Sequence, residues 1–533
     1  MTSYFSLAML GAFLPATMLA YQIIPRRARW VVLLAASYAF FWSISGALIV
    51  YLLAATVTIW LIGLGLSRLI QARAEALKEP GADRRAVKHW HQRRMKAVLA
   101  LGILVNMGML FSFKYVPFTA RTLAPLATPL LAPFGITWPE HVAGIAAPIG
   151  ISFYTLQAIS YLVDVYRQRI TADTNLGRLA LYLAFFPQIM EGPICRYDQT
   201  AGVLMAGNPI TAEGLSTGAV RICWGLAKQY LVANRVNMLV KAVFASSGSY
   251  GGGITLLAGA LYTLQLYCDF SGTMDFVVGT GRIFGVRLPE NFRQPFFSRT
   301  ASEFWQRWHI TLGLWLRDYV FYPVSLSTPV KHAGHAARKL LGNHMGSVAV
   351  SGIALLAVWF GNGLWHGAGG QYVLFGLYWF AVIWLGGFAE VLAQEWCPRL
   401  GIRRDGTVWR ALQHVRTLGI VVVGEIIFRA PGGRAALKLL AEAVRNPSIS
   451  SLFDGTVAKL GLSSADAVCL LIALAALLVV GLMRERGAWS AERLWRVSHL
   501  APCLMCCALF FIVIIFGAYG TGYVPVDPMY ASF

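Results

Sequence analysis

Charge is scarce in this chain, and acidic charge is scarcer still. Of its 533 residues only 13% are charged, and 24 Asp and Glu stand against 45 Lys and Arg. No soluble domain has such a composition. Internal repeats and low-complexity tracts are absent from the sequence, and with them the inverted-repeat pattern of many transporters. Cysteine is sparse: Cys195, Cys223, Cys268, Cys397, Cys469, Cys503, Cys506 and Cys507. No two CxxC units fall at zinc spacing, so a structural metal is not expected. Cys503, Cys506 and Cys507 ride one apolar stretch as packing residues, and disulfides are not expected. The net charge of +21 is accompanied by no nucleic-acid motif. The excess Lys and Arg are expected in short loops, where they set membrane topology.

Apolar sequence is what the chain has in abundance: 57% of residues are hydrophobic and the mean hydropathy is +0.59. Apolar runs of about 18 residues or more recur, which specifies an all-α polytopic membrane protein. Expected spans cover 4–24, 30–45, 47–69, 97–116, 143–165, 252–285, 371–392, 411–428, 466–483 and 500–519. The first lacks a basic leader and a small-residue cleavage site, and is expected to remain as a span rather than be removed as a signal peptide. Arg26, Arg27 and Arg29 follow it, and a long polar loop over 71–96 carries Arg73, Lys78, Arg84, Arg85, Lys88, Arg93, Arg94 and Lys96. Basic loops face the cytoplasm, which places the N-terminus outside. The basic loops 399–410 and 484–496 then place the C-terminal tail outside as well.

Interruptions in the apolar pattern are informative. The nearly uncharged, proline-rich connection 117–141 reads as a re-entrant segment. Within 178–200, Pro187, Gly192 and Pro193 break the helix at membrane depth. Such backbone is tolerated where it lines a cavity or is enclosed by protein. Glu191 sits at this break and is read as facing a cavity. Residues 212–245 form a long amphipathic stretch with Arg221, Lys228, Arg235 and Lys241, and the apolar run 252–285 contains Asp269, Ser271 and Asp275. Residues 429–465 read as an external amphipathic loop, and His332, His335 and His344 as solvated loop histidines.

Two segments carry the candidate chemistry. FWQRWHITLGLWLRDYVFY, residues 304–322, and VWFGNGLWHGAGG, residues 358–370, each centre on a histidine, His309 or His366, directly preceded by a tryptophan. A titratable ring in lipid-depth sequence is costly and marks a candidate functional site. Helical spacing places Trp305, His309, Leu312 and Leu316 on one face, with Glu303, Arg307 and Asp318 on the other side. Glu303 and Arg307 are spaced for a salt bridge. These ionic residues, with Arg317, are read as supporting the helix rather than reacting. Asn362 lies four residues before His366, where one more helical turn would let it hold an imidazole nitrogen and leave the other free as a base. No acidic or cysteine partner stands at ligand spacing from either histidine, so metal binding is not expected. On the residues alone, a hydrogen-bonded structural role and a catalytic role both remain open.

Residues 299–323, RTASEFWQRWHITLGLWLRDYVFYP, and 362–379, NGLWHGAGGQYVLFGLYW, resemble two signature regions of the membrane-bound O-acyltransferase superfamily. PIGISFYTLQAISYLVDVYR at 148–167, FFPQIMEGPICRY at 185–197, the stretch 265–297, EIIFRAPGGRAAL at 425–437 and the aromatic C-terminal tail resemble its bacterial branch. That branch serves O-acetylation of alginate, cellulose and peptidoglycan, and D-alanylation of teichoic acid. The resemblance covers nearly the whole chain. It departs from the family at Glu191, where small residues are common, and after Tyr322, where the histidine-bearing stretch matches nothing in the family pattern.

The resemblance implies one integral membrane domain over 1–533, with a signature core at about 143–392 and peripheral helices over 1–142 and 393–533. It implies a ring of about 11–13 transmembrane helices with re-entrant segments around a central tunnel. His366 would be the catalytic base and His309 its support, with Asn362, Trp305, Trp365, Glu191, Asp269, Ser271, Arg307 and Asp318 along the tunnel or supporting it. The enzyme would be an O-acyltransferase of the inner membrane, with no bound cofactor. Its donor substrate would be acetyl-CoA or an acyl-carrier thioester. Its acceptor would be an exopolysaccharide or cell-wall glycan, or a periplasmic or membrane-anchored acyltransferase partner. Transfer of D-alanine from a cytoplasmic carrier protein is the alternative within the branch. A proton-coupled transporter or flippase is the alternative from another class, which the missing repeat disfavours.

Overall fold

Apolar backbone in lipid must satisfy its own hydrogen bonds, and a helix does so within each segment. The computed structural model describes residues 4–131, 133, 147–246 and 249–526. Among these, every regular element is helical, and the one β contact is an isolated antiparallel bridge between Phe292 and Trp308. Six helical stretches of the described residues are long and apolar enough to cross a bilayer: Arg26–Ala76, Arg84–Lys114, Asn343–His366, Gly370–Arg399, Thr407–Arg429 and Ser464–Glu485. Met9–Ile23 and Ala501–Phe516 are apolar but shorter. The chain is a helical, multi-pass membrane protein.

Most expected spans coincide with helices, and the differences have local causes. The polar stretch over 71–96 is largely helical, because Ile49–Ala76 and Arg84–Lys114 run into it from both sides. Its Arg and Lys are good helix formers. Asp83 caps the second helix by accepting from the backbone N–H groups of Arg85 at 2.9 Å and Ala86 at 3.2 Å. The connection after Lys114 begins as a helix, Val116–Leu131, and the rest of the expected re-entrant segment lies outside the described residues, apart from Pro133. His332, His335 and His344 are exposed, as expected, but they stand on the helices Thr328–Leu341 and Asn343–His366 rather than in a loop.

The chain gathers into two compact units. The described residues of 4–215 and 280–289 form one, and those of 216–279 and 290–526 the other. In the first, the break near Glu191 is enclosed by protein, and side chains take up its backbone groups. Ser37 Oγ accepts from Phe186 N at 3.0 Å, and Tyr4 Oη accepts from Met190 N at 3.1 Å. Tyr182 Oη donates to the Cys195 carbonyl at 2.8 Å. Non-helical backbone is thereby tolerated without water, and Glu191 is only 3% exposed.

In the second unit, Arg221, Lys228 and Arg235 recur every seventh residue along Ala212–Ala227, a π-helical turn Lys228–Ala233 and Asn234–Ala245. That spacing puts them on one face, and the face is turned inward. Arg221 Nε meets Asp275 at 2.6 Å, Lys228 Nζ meets Asp275 at 2.5 Å, and Arg235 meets Asp466 at 2.5 Å. These three basic residues therefore do not act as topology signals in loops; they are paired inside the protein. Elsewhere in this unit Asn343–His366 crosses Gly370–Arg399 closely. A Cβ on Gly363 would strike the Tyr372 carbonyl, and one on Gly376 the Trp359 carbonyl. Only glycine allows the two backbones this approach.

Candidate active site

The first histidine segment starts with a cap. Thr300 accepts from Glu303 N at 3.1 Å, and the Glu303 carboxylate accepts from Arg299 N at 2.9 Å. This pairing starts the helix Ala301–Arg307. The expected ion pair forms, with Arg307 2.9 Å from Glu303 and also 2.9 Å from Glu485. Asp318 pairs with Arg317 at 2.8 Å. Arg307 and Asp318 are thus engaged with neighbouring charges.

The helix does not continue through the histidine. Trp308 is extended, and His309 adopts a left-handed conformation with φ 46° before Ile310–Leu316 begins. A non-glycine residue held there signals a constrained position. The constraint comes from residues 291–293, which lie antiparallel to 307–310. Arg293 N donates to the Arg307 carbonyl at 2.9 Å, and Ile310 N donates to the Asn291 carbonyl at 3.0 Å. Between them stands the Phe292–Trp308 bridge. The Asn291 side chain joins in: its Oδ1 accepts from Thr311 N at 3.0 Å and from Thr311 Oγ1 at 2.9 Å, and lies 3.3 Å from His309 Nδ1. Its Nδ2 donates to Met274 Sδ at 3.4 Å. Both Asn291 and His309 are buried.

The second histidine ends the helix Asn343–His366. Its ring is enclosed by aromatic edges, with centroids 5.0 Å from Trp365, 6.0 Å from Phe375 and 5.1 Å from Phe428. Trp365 also lies 5.9 Å from the His309 ring and so touches both histidines. Phe270 packs edge-on against His309 at 4.9 Å.

A cavity of about 360 Å³ opens between the two segments. Trp305, His309, Leu312 and Leu316 line it, with Trp359 and Asn362 opposite. The four residues expected on one face all reach this cavity, but so do Gln306, Ile310, Gly313, Leu314 and Arg317, and the helix is broken at His309 rather than continuous. Three polar atoms of residues that line this cavity are buried without a hydrogen-bond partner among the described residues: Trp305 Nε1, His309 Nε2 and Asn362 Oδ1. Asn362 Oδ1 therefore makes no bond to His366. A ligand in this cavity is one candidate to supply partners for these groups. Their chemistry is complementary: the indole is a donor only, and the amide oxygen an acceptor only.

The other expected residues fall elsewhere. Ser271 accepts from Lys228 Nζ at 2.7 Å, within the Asp275 charge cluster. Asp269 is buried on the helix Gly252–Ile283. Glu191 belongs to the first unit. Two residues of this unit carry weight that the sequence reading did not assign. Asn291 is one; its contact spans 18 positions, and no local pattern reports it. Glu425 is the other: it is 1% exposed and its Oε2 has no partner among the described residues. Its only sequence signal is its place in the EIIFRAPGG stretch. Among the described residues no cluster of three or more His, Cys, Asp or Glu is arranged to hold a metal ion.

No family model matches the chain. Individual relatives do. The chain is 33% identical over 430 residues to the probable alginate O-acetylase AlgI of Pseudomonas aeruginosa, covering 80% of this chain and 72% of the relative. It is 26% identical over 370 residues to the peptidoglycan O-acetyltransferase of Helicobacter pylori, covering 64% and 63%. It is 28% identical over 299 residues to the teichoic acid D-alanyltransferase of Bacillus subtilis, covering 54% and 71%.

Proposed function

The chain belongs to the membrane-bound O-acyltransferase family, and on that premise we propose that it moves an acetyl group from a cytosolic thioester to an extracytoplasmic acceptor. The acceptor is a cell-envelope polysaccharide or a periplasmic or membrane-anchored acyltransferase that passes the group on. The donor is acetyl-CoA. The observation that carries this reading is the cavity between the histidine segments, with a donor and two acceptors left for a substrate. The similarity to the alginate O-acetylase covers more of this chain than that to the D-alanyltransferase, which supports acetyl over D-alanyl. The similarity to a teichoic acid D-alanyltransferase keeps D-alanyl transfer from a carrier protein as a second reading.

In this mechanism His366 takes the proton of the acceptor hydroxyl. The hydroxyl oxygen bonds to the thioester carbonyl carbon, the C–S bond breaks, and the departing thiolate receives the proton from His366. The Trp305 N–H donates to the carbonyl oxygen as negative charge grows there. His309 and Asn362 orient the acceptor. A ring of helices around a tunnel would admit the donor from the cytoplasmic face and the acceptor from the other. Basic loops on the cytoplasmic side, in the inner membrane, would leave both termini extracytoplasmic. The same loops suit an acidic donor or carrier.

Mass spectrometry of envelope glycans from cells with the protein, without it, and with the His366→Ala variant tests the reading. Acetyl groups on a glycan that vanish in both deficient strains are expected, and the mass added distinguishes acetyl from D-alanyl. Identical glycan acylation in all three strains overturns it.

A further inference from the structure

We propose that Asn291 is a positioning residue that holds His309, a residue of the cavity wall, in one tautomer, with the proton on Nδ1 and Nε2 left as the acceptor. The inference rests on the acyl-transfer reading and deepens it, because it decides what His309 can do to a substrate.

The argument starts from the backbone. Thr311 N–H can only donate, and it lies 3.0 Å from Asn291 Oδ1. That contact identifies the oxygen of the Asn291 amide without reference to any hydrogen position. The amide nitrogen is turned the other way, toward Met274 Sδ. An oxygen that accepts from Thr311 faces His309 Nδ1 at 3.3 Å, so the imidazole nitrogen on that side must be the donor. In a neutral imidazole the other nitrogen is then an acceptor. That nitrogen, Nε2, is buried, lacks a partner among the described residues and belongs to a residue lining the cavity.

The geometry is strongly determined. Asn291 is bound through its backbone carbonyl to Ile310 N and through its side chain to Thr311, the two residues that follow His309. The left-handed backbone of His309 is the conformation that turns its ring into this arrangement. A histidine so held cannot donate to a thioester carbonyl. It can accept from a hydroxyl, and Asn362 Oδ1 across the cavity has the same capacity. The pair is suited to an acceptor that offers hydroxyl donors. The Trp305 N–H is left as the donor for the acyl carbonyl. His309 is thereby assigned to the acceptor, and not to the donor thioester.

The test is nitrogen NMR of the full-length protein in detergent micelles, with ¹⁵N-labelled histidine and the His309 signal assigned by its loss in His309→Gln. The wild-type protein should show a protonated Nδ1 and an unprotonated Nε2 at His309. Asn291→Asp retains an acceptor oxygen and should keep that pattern. Asn291→Leu, in protein that elutes and melts as a folded species, should lose the single tautomer. A protonated Nε2 in the wild type overturns the inference, as does an unchanged tautomer in folded Asn291→Leu. If Asn291→Leu does not fold, the wild-type and Asn291→Asp spectra decide. The readout needs no turnover, so failure of the acyl-transfer reading registers separately in the glycan analysis.

Discussion

Lys228 Nζ lies 2.5 Å from the Asp275 carboxylate, with the two side chains only 4% and 3% exposed. Arg221 meets the same carboxylate at 2.6 Å. One acidic group thus holds two cations inside the protein. Arg221 also pairs with Glu290, so loss of Asp275 leaves chiefly Lys228 buried without an opposite charge, and breaking such a pair costs about 3–5 kcal/mol. Asp275→Ala should therefore lower stability by about that amount. Adding Lys228→Met should recover part of the loss. Thermal unfolding of the purified protein in detergent measures both; a single variant as stable as the wild type would show that the cluster is solvated.

His366→Ala should leave the melting temperature near that of the wild type and reduce acyl transfer by about 10²–10⁴-fold, the usual contribution of general-base catalysis. The comparison is transfer of labelled acetyl into envelope glycan at matched protein levels. Transfer at the wild-type rate would remove His366 from the proton-transfer role.

Trp305→Phe retains a large ring against Trp359 and Trp379, whose centroids lie 4.8 and 5.0 Å from that of Trp305. It deletes the N–H at the cavity. Loss of a donor to a developing oxyanion should lower kcat by about 10²–10³-fold with little change in the KM of the thioester. A rise in KM at constant kcat would instead place the indole N–H on ground-state binding.

Gly363→Ala should separate Asn343–His366 from Gly370–Arg399, because the added methyl group meets the Tyr372 carbonyl. Overpacking of this kind costs about 1–3 kcal/mol. His366 stands three residues on, so activity should fall further than stability alone explains. Melting curves and transfer rates of the same preparation separate the two effects.

Glu425→Gln should stabilise the protein by about 1 kcal/mol or more, since it replaces an ionisable group that has no buried partner at Oε2 with a neutral amide of the same shape. Thermal unfolding reads the gain. A marked loss of stability would mean that the carboxylate form is satisfied in the native protein.

Composition and hydropathy alone determined that this chain is a helical membrane protein and roughly where its spans lie, because the cost of burying backbone and charge in lipid applies to each segment separately. Short-range geometry was equally legible: the Glu303–Arg307 pair and the interruption around Pro187, Gly192 and Pro193 follow from local sequence, whereas the helical spacing through His309 did not foresee the break there. The depth of Arg221, Lys228 and Arg235 was not, because whether a basic face meets solvent or Asp275 and Asp466 depends on which segment packs against it. The same reason hid Asn291. Its hold on His309 exists only because two strands of chain, 18 residues apart in sequence at that contact, run antiparallel there. Packing, rather than propensity, breaks the helix at His309, sets its ring against Asn291 and selects its tautomer.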